Sequence, residues 1–210
     1  MDYFAILNIL GIIGFAVSGA LVAIEEDFDI IGIFILAYVT AFGGGAIRNV
    51  LIGAPPSVLW EQSNLFILVL VVIIILCIFP YVFSHYLKFW MDLSDSIGLA
   101  CFAIQAASLA QLYQPSFGAI ILSAMVTAMG GGILRDVLAK RKPKFLYSGL
   151  YGTFAFIAGV AVYFGIDRSA IATTSLLVIL VIFRMLAIKY DWNLPGSNKN
   201  SKGFLKNFSA

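Results

Sequence analysis

AFGGGAIRNVL occupies residues 41–51, and AMGGGILRDVL occupies residues 128–138. The two stretches lie 87 positions apart, and the same ungapped offset aligns much of the remaining chain. It pairs Gly11 with Gly98, Phe15 with Phe102, Ala16 with Ala103, Ala37 with Ala124, Thr40 with Thr127, Pro56 with Pro143 and Leu59 with Leu146. An internal duplication dictates architecture and is read before anything local. Each copy ends its most apolar stretch with three glycines and an arginine, and a charge at that depth has a cost that calls for a reason.

Composition identifies the solvent. Of 210 residues, 61% are hydrophobic and 11% charged, against roughly 25% charged in a soluble domain. Such a chain is an integral membrane protein. Its net charge of +2 gives no electrostatic footprint for nucleic acid. Cys77 and Cys101 both fall in apolar runs and read as small buried hydrophobes, not as a disulfide. His85 is the sole histidine and lacks the neighbouring Cys or His of a metal site. GGGAIR and GGGILR lack the P-loop lysine and its spacing. No enzymatic activity, metal or cofactor is therefore expected.

About 20 apolar residues cross a bilayer as a helix. Seven such runs are present, at 3–24, 30–52, 65–83, 93–112, 117–139, 146–164 and 169–188. No basic residue precedes the first run, so it is expected to be a permanent span and not a cleaved leader. The predicted fold is all-α, with seven transmembrane helices. Three spans fit within the 87-residue period, and an odd number inverts the second copy relative to the first. Residues 1–88 and 89–167 then form inverted three-helix repeats, as in many transport proteins. A seventh helix at 168–190 stands outside the repeat, as packing material or an oligomer contact. A disordered tail rich in Asn, Lys, Ser and Gly follows at 191–210. With the N-terminus outside, Lys88, Lys140, Arg141, Lys142, Lys144 and Lys189 are cytoplasmic and Arg168 is external, so the positive-inside rule predicts N-out and C-in.

Gly43, Gly44 and Gly45 lie deep in span two, and Gly130, Gly131 and Gly132 lie likewise in span five. Interior glycines destabilise a helix by up to about 1 kcal/mol each relative to alanine. Two readings are open: a bend lining a polar cavity, or close helix packing. Residues four apart share a helix face, so Thr40, Gly44 and Arg48 align, as do Thr127, Gly131 and Arg135. The arginines are expected to face protein or water, or else to snorkel to headgroups. Asn49 and Asp136 follow them, and Asp136 is expected to pair with a basic residue of another helix, since adjacent helical residues do not face each other. Ser18 matches Gln105 near mid-membrane, where they line a water path or bond a neighbouring helix; Asn8 matches Asp95. Asp92 and Ser94 read as caps of span four. Glu25, Glu26, Asp27 and Asp29 form an acidic turn, either simply solvated or concentrating cations.

The doubled GGGxxR motif followed by Asn49 or Asp136, in a short seven-span chain with a three-plus-three inverted repeat, resembles the prokaryotic trimeric intracellular cation (TRIC) channel family. The likeness spans roughly residues 3–188. It implies a homotrimer in the cell membrane of a prokaryote, each protomer conducting monovalent cations, chiefly potassium, through its own pore between the repeats. Potassium or sodium then enters as a permeant ion, and membrane lipid surrounds the trimer. The resemblance gives the pore-lining role to the two glycine triplets, with Arg48 and Arg135 beside them. Family members often carry aspartate after both arginines, whereas this chain has Asn49 in the first copy. The same broad family includes bacterial proteins described as glycine transporters, so a carrier of a small amino acid is the alternative.

Overall fold

The computed structural model describes residues 3–55, 63–79, 86–146 and 150–192. His85, Pro56 and Leu59 lie outside the described residues, as does the expected tail from residue 193 onward. The described residues form seven α-helices and no strand: α1 (Tyr3–Glu25), α2 (Ile30–Ile52), α3 (Ser63–Ile78), α4 (Leu87–Tyr113), α5 (Phe117–Leu138), α6 (Tyr151–Tyr163) and α7 (Ala170–Lys189). Five of these are long and apolar enough to cross a membrane; α3 and α6 are apolar but shorter. The chain is a multi-pass membrane protein.

Local chemistry sets the helix ends. Asp29, in extended conformation, accepts the Gly32 N–H at 2.7 Å and starts α2. Gly53 closes it at φ 70°, a left-handed conformation glycine adopts without a Cβ penalty. Ser116 and Ser169 cap α5 and α7 in the same way as Asp29.

Three predicted boundaries move. The third span was expected to reach residue 83, but α3 ends at Ile78. Pro80 has no N–H and disfavours helical backbone at Phe79. The sixth span was expected from 146, yet α6 begins at Tyr151, after a 3₁₀ turn at Lys144–Leu146 that follows Pro143. The fourth span was expected from 93, yet α4 begins six residues earlier, at Leu87. Asp92 and Ser94 therefore lie inside the helix and do not cap it. The charge of Asp92 is tolerated there because Lys144 Nζ sits 2.7 Å from its carboxylate.

Packing reproduces the duplication as a pseudo-two-fold. α1 packs on α4, and α2 crosses α5. Contacts come in exchanged pairs: a Cβ on Gly11 would strike the Phe102 ring, and one on Gly98 would strike the Phe15 ring. Phe15 and Phe102, each the other's repeat equivalent, meet edge-to-face at 5.2 Å between centroids. α3 packs on α1 and α2, as α6 packs on α4 and α5. α7 lies against α4 and α6.

One end of the bundle gathers the α1–α2 turn, the start of α4 and the segment after α5. Arg141 pairs with Glu25 at 2.7 Å and with Glu26 at 2.5 Å. Partial burial works against the Arg141 charge, but the hydrogen bonds and charges of Glu25 and Glu26 outweigh it and hold its pKa above the ordinary value. The acidic turn is thus a tether to the α5–α6 segment and an N-cap through Asp29.

Candidate functional site

The repeat builds two polar clusters, one around each arginine. Arg135 on α5 is fully buried. Its Nη1 donates to Asp95 Oδ1 at 2.7 Å and to Ser18 Oγ at 2.5 Å. Its Nε donates to Asp136 Oδ1 at 2.8 Å, and Nη2 lies 2.8 Å from the same oxygen. The expectation that Asp136 pairs with a base on another helix is therefore overturned. Adjacent Cβ atoms do point apart, but the guanidinium sits on a flexible stem that curls back along its own helix. In apolar surroundings it takes the nearest carboxylate. The second oxygen, Oδ2, accepts the Lys144 backbone N–H at 2.9 Å.

Two further residues complete this cluster. Tyr151 donates its hydroxyl to Asp95 Oδ1 at 3.3 Å. The Arg184 guanidinium, carried in by α7, stacks 4.3 Å from the Tyr151 ring centroid. Three carboxylates (Asp92, Asp95, Asp136) meet three cations (Arg135, Lys144, Arg184), so the cluster is neutral as a whole. α7 is more than packing material, since it supplies one of those cations.

Arg48 on α2 is 4% exposed and repeats the geometry with different chemistry. Nε and Nη2 donate to Asn49 Oδ1 at 3.0 and 2.8 Å, the same backward curl. Nη1 donates to Gln105 Oε1 at 3.2 Å. Gln105 is the repeat equivalent of Ser18, so the two arginines hold exchanged partners from α4 and α1. Among the described residues Arg48 makes no ion pair. It lines a small cavity of about 10 Å³ with Asn8, Ile12, Ala41, Phe42, Gly45, Phe102, Gln105 and Thr127. That is room for one water or one small ion.

The glycine triplets divide their roles. α2 and α5 run as unbroken helix through both. A Cβ on Gly44 would lie 2.3 Å from Thr127 O, and one on Gly131 would lie 2.2 Å from Thr40 O. The middle glycines therefore let the two backbones touch where the helices cross, which is the close-packing reading. Gly43 and Gly130 face Leu134 and Gly44 across the same crossing. An added Cβ on Gly45 or Gly132 would meet Arg48 Nη2 or Arg135 Nη2 at 3.7 Å, an ordinary van der Waals contact, whereas on Gly132 it would also lie 2.9 Å from the Tyr151 hydroxyl. Thr40 and Thr127 turn their hydroxyls into their own helices, onto Leu36 O at 2.6 Å and Ser123 O at 2.7 Å.

The structure thus brings Gly45, Arg48, Asn49, Gln105 and Thr127 together at one cluster, and Ser18, Asp95, Gly132, Arg135 and Asp136 at the other. Sequence reading missed Tyr151 and Arg184. Arg184 had a signal, a lone arginine in an otherwise apolar run. Tyr151 had none, because an aromatic in a membrane helix is ordinary.

Comparison with known proteins is consistent throughout. The family model described as glycine transporter matches residues 5–81 and 92–167. The UPF0126 membrane protein YvgT of Bacillus subtilis (strain 168) is 46% identical over 190 residues, covering 90% of this chain and 94% of the relative. The crystal structure of a prokaryotic TRIC channel in 0.5 M KCl superposes with a TM-score of 0.83 at 32% identity, covering 91% of this chain and 98% of that one. The TRIC trimeric intracellular cation channel orthologue from Rhodobacter sphaeroides superposes at 0.82 with 28% identity, covering 91% and 100%.

Proposed function

The chain belongs to the glycine transporter family, the family of the prokaryotic TRIC channels, and from that premise we propose that it is a passive channel for monovalent cations, chiefly potassium. The carrying observation is that both polar clusters recruit side chains from both repeats. The polar groups lie on the seam between residues 1–88 and 89–167, where a pore within each protomer would run. Neutralisation of Arg135 by Asp95 and Asp136 supports the reading, since a buried arginine so balanced does not repel a passing cation. In this reading Gly45, Gly132, Thr40 and Thr127 border the path, and three protomers assemble in the cell membrane; the name of the Rhodobacter sphaeroides orthologue calls that protein trimeric. Glycine transport is the second reading. It draws on the family description and on Arg48, whose fork suits a carboxylate.

Planar-bilayer recording under a potassium chloride gradient separates the two. A channel gives unitary currents reversing at the potassium equilibrium potential. Silent bilayers combined with saturable glycine uptake into liposomes would establish the carrier instead.

Orientation has its own test. Single cysteines replacing Lys142 and Arg168 in a Cys77/Cys101-free background should react with an impermeant maleimide only from the cytoplasmic and only from the outer side, respectively. Reaction of both from one side would contradict the N-out arrangement.

A further inference from the structure

We propose that Arg48 and its cavity form a binding site for one small monovalent anion of chloride size. The argument starts from the broken symmetry of the repeat. Arg135 is neutralised by Asp95 and Asp136. The positions that correspond in the first repeat are Asn8 and Asn49. Both are amides, isosteric with the carboxylates but uncharged, so the same guanidinium geometry is built without its counter-charge.

An arginine in a membrane interior demands a compensating anion or water. Arg48 is 4% exposed and makes no ion pair among the described residues. Its three recorded hydrogen bonds all go to neutral amide oxygens. A guanidinium has five N–H groups, so two remain for a ligand. Asn49 is 3% exposed, and its Nδ2, at the position where Asp136 presents an accepting oxygen, is a buried donor without a partner among the described residues. The local surplus is therefore of donors and of positive charge. The cavity that Arg48 lines also carries the side chains of Asn8, Gln105 and Thr127. Its volume of about 10 Å³ is that of one small occupant. The bound anion takes the place that a carboxylate fills in the second repeat.

The test is thermal melting of the purified full-length protein in detergent at constant potassium, with chloride exchanged for gluconate. It reads binding alone and therefore stands whether or not the chain conducts cations. Chloride is expected to raise the melting temperature of the parent saturably, by several degrees. Asn8→Asp supplies the carboxylate of the second repeat, so its melting temperature is expected to be indifferent to chloride. Asn49→Asp provides an independent second variant with the same expected loss of chloride dependence. Bromide-soaked crystals of the parent should show an anomalous peak within hydrogen-bond distance of the Arg48 guanidinium. Equal melting of the parent in chloride and gluconate overturns the proposal. So does a chloride effect that survives in both variants, which would mark a general salt effect. Stabilisation by glycine and not by chloride would overturn it in favour of a carboxylate site.

Discussion

Arg135→Ala is expected to lose about 3–5 kcal/mol of stability, because it strands two buried carboxylates. Asp95 and Asp136 have side chains only 2% and 4% exposed, and both take their charge partner from this one guanidinium. Arg48→Ala removes the repeat-equivalent group but leaves only the amides of Asn49 and Gln105, for which about 1–3 kcal/mol is the expected loss. Two residues at matching positions in a duplicated sequence should therefore differ clearly in chemical or thermal denaturation. Asp95→Asn in the Arg135→Ala background should recover part of the loss, since one stranded charge is gone. Equal losses for Arg48→Ala and Arg135→Ala would mean that the second cluster is no more strongly charge-coupled than the first.

Gly131→Ala is expected to cost about 3 kcal/mol or more, at the upper end of overpacking effects. Overpacking is usually relieved by a side chain rotating away, but here the obstacle is backbone. The new methyl would lie 2.2 Å from Thr40 O, and α2 and α5 must separate to admit it. Gly44→Ala should behave alike, with Thr127 O at 2.3 Å. Gly118, on the same α5, has nothing among the described residues within 4 Å of an added Cβ. Gly118→Ala should therefore stay within roughly 0.5 kcal/mol of the parent. Melting of the three variants in detergent decides the matter. Parent-like stability of Gly131→Ala would show that the helices do not meet as closely as described.

The membrane class, the number of helices and the duplication could be read from residues alone, because they rest on long runs and on a fixed offset. Hydrophobic length is a property of consecutive residues, and the repeat is visible as soon as residues 41–51 and 128–138 are laid side by side. The bounds of α2 were legible for the same reason, with Asp29 and Gly53 marking its ends. Helix ends near Pro80 and Pro143 were less so, because apolar composition continues past the point where backbone geometry stops the helix. Arg48 and Arg135 could be singled out as buried polar groups, since a charge at that depth needs company. The identity of that company was decided only by tertiary structure. Whether Arg135 reaches Asp136 beside it, Asp95 on α4 or Ser18 on α1 depends on side-chain torsions and helix crossings that no spacing rule encodes. The same holds for the glycine triplets. Three consecutive glycines permit a bend or a close approach equally well, and only the position of Thr40 O and Thr127 O on the facing helices selects the approach. Arg184 joined the site for a reason outside the repeat altogether: α7 packs where Tyr151 already stands, and its one buried cation finds the ring.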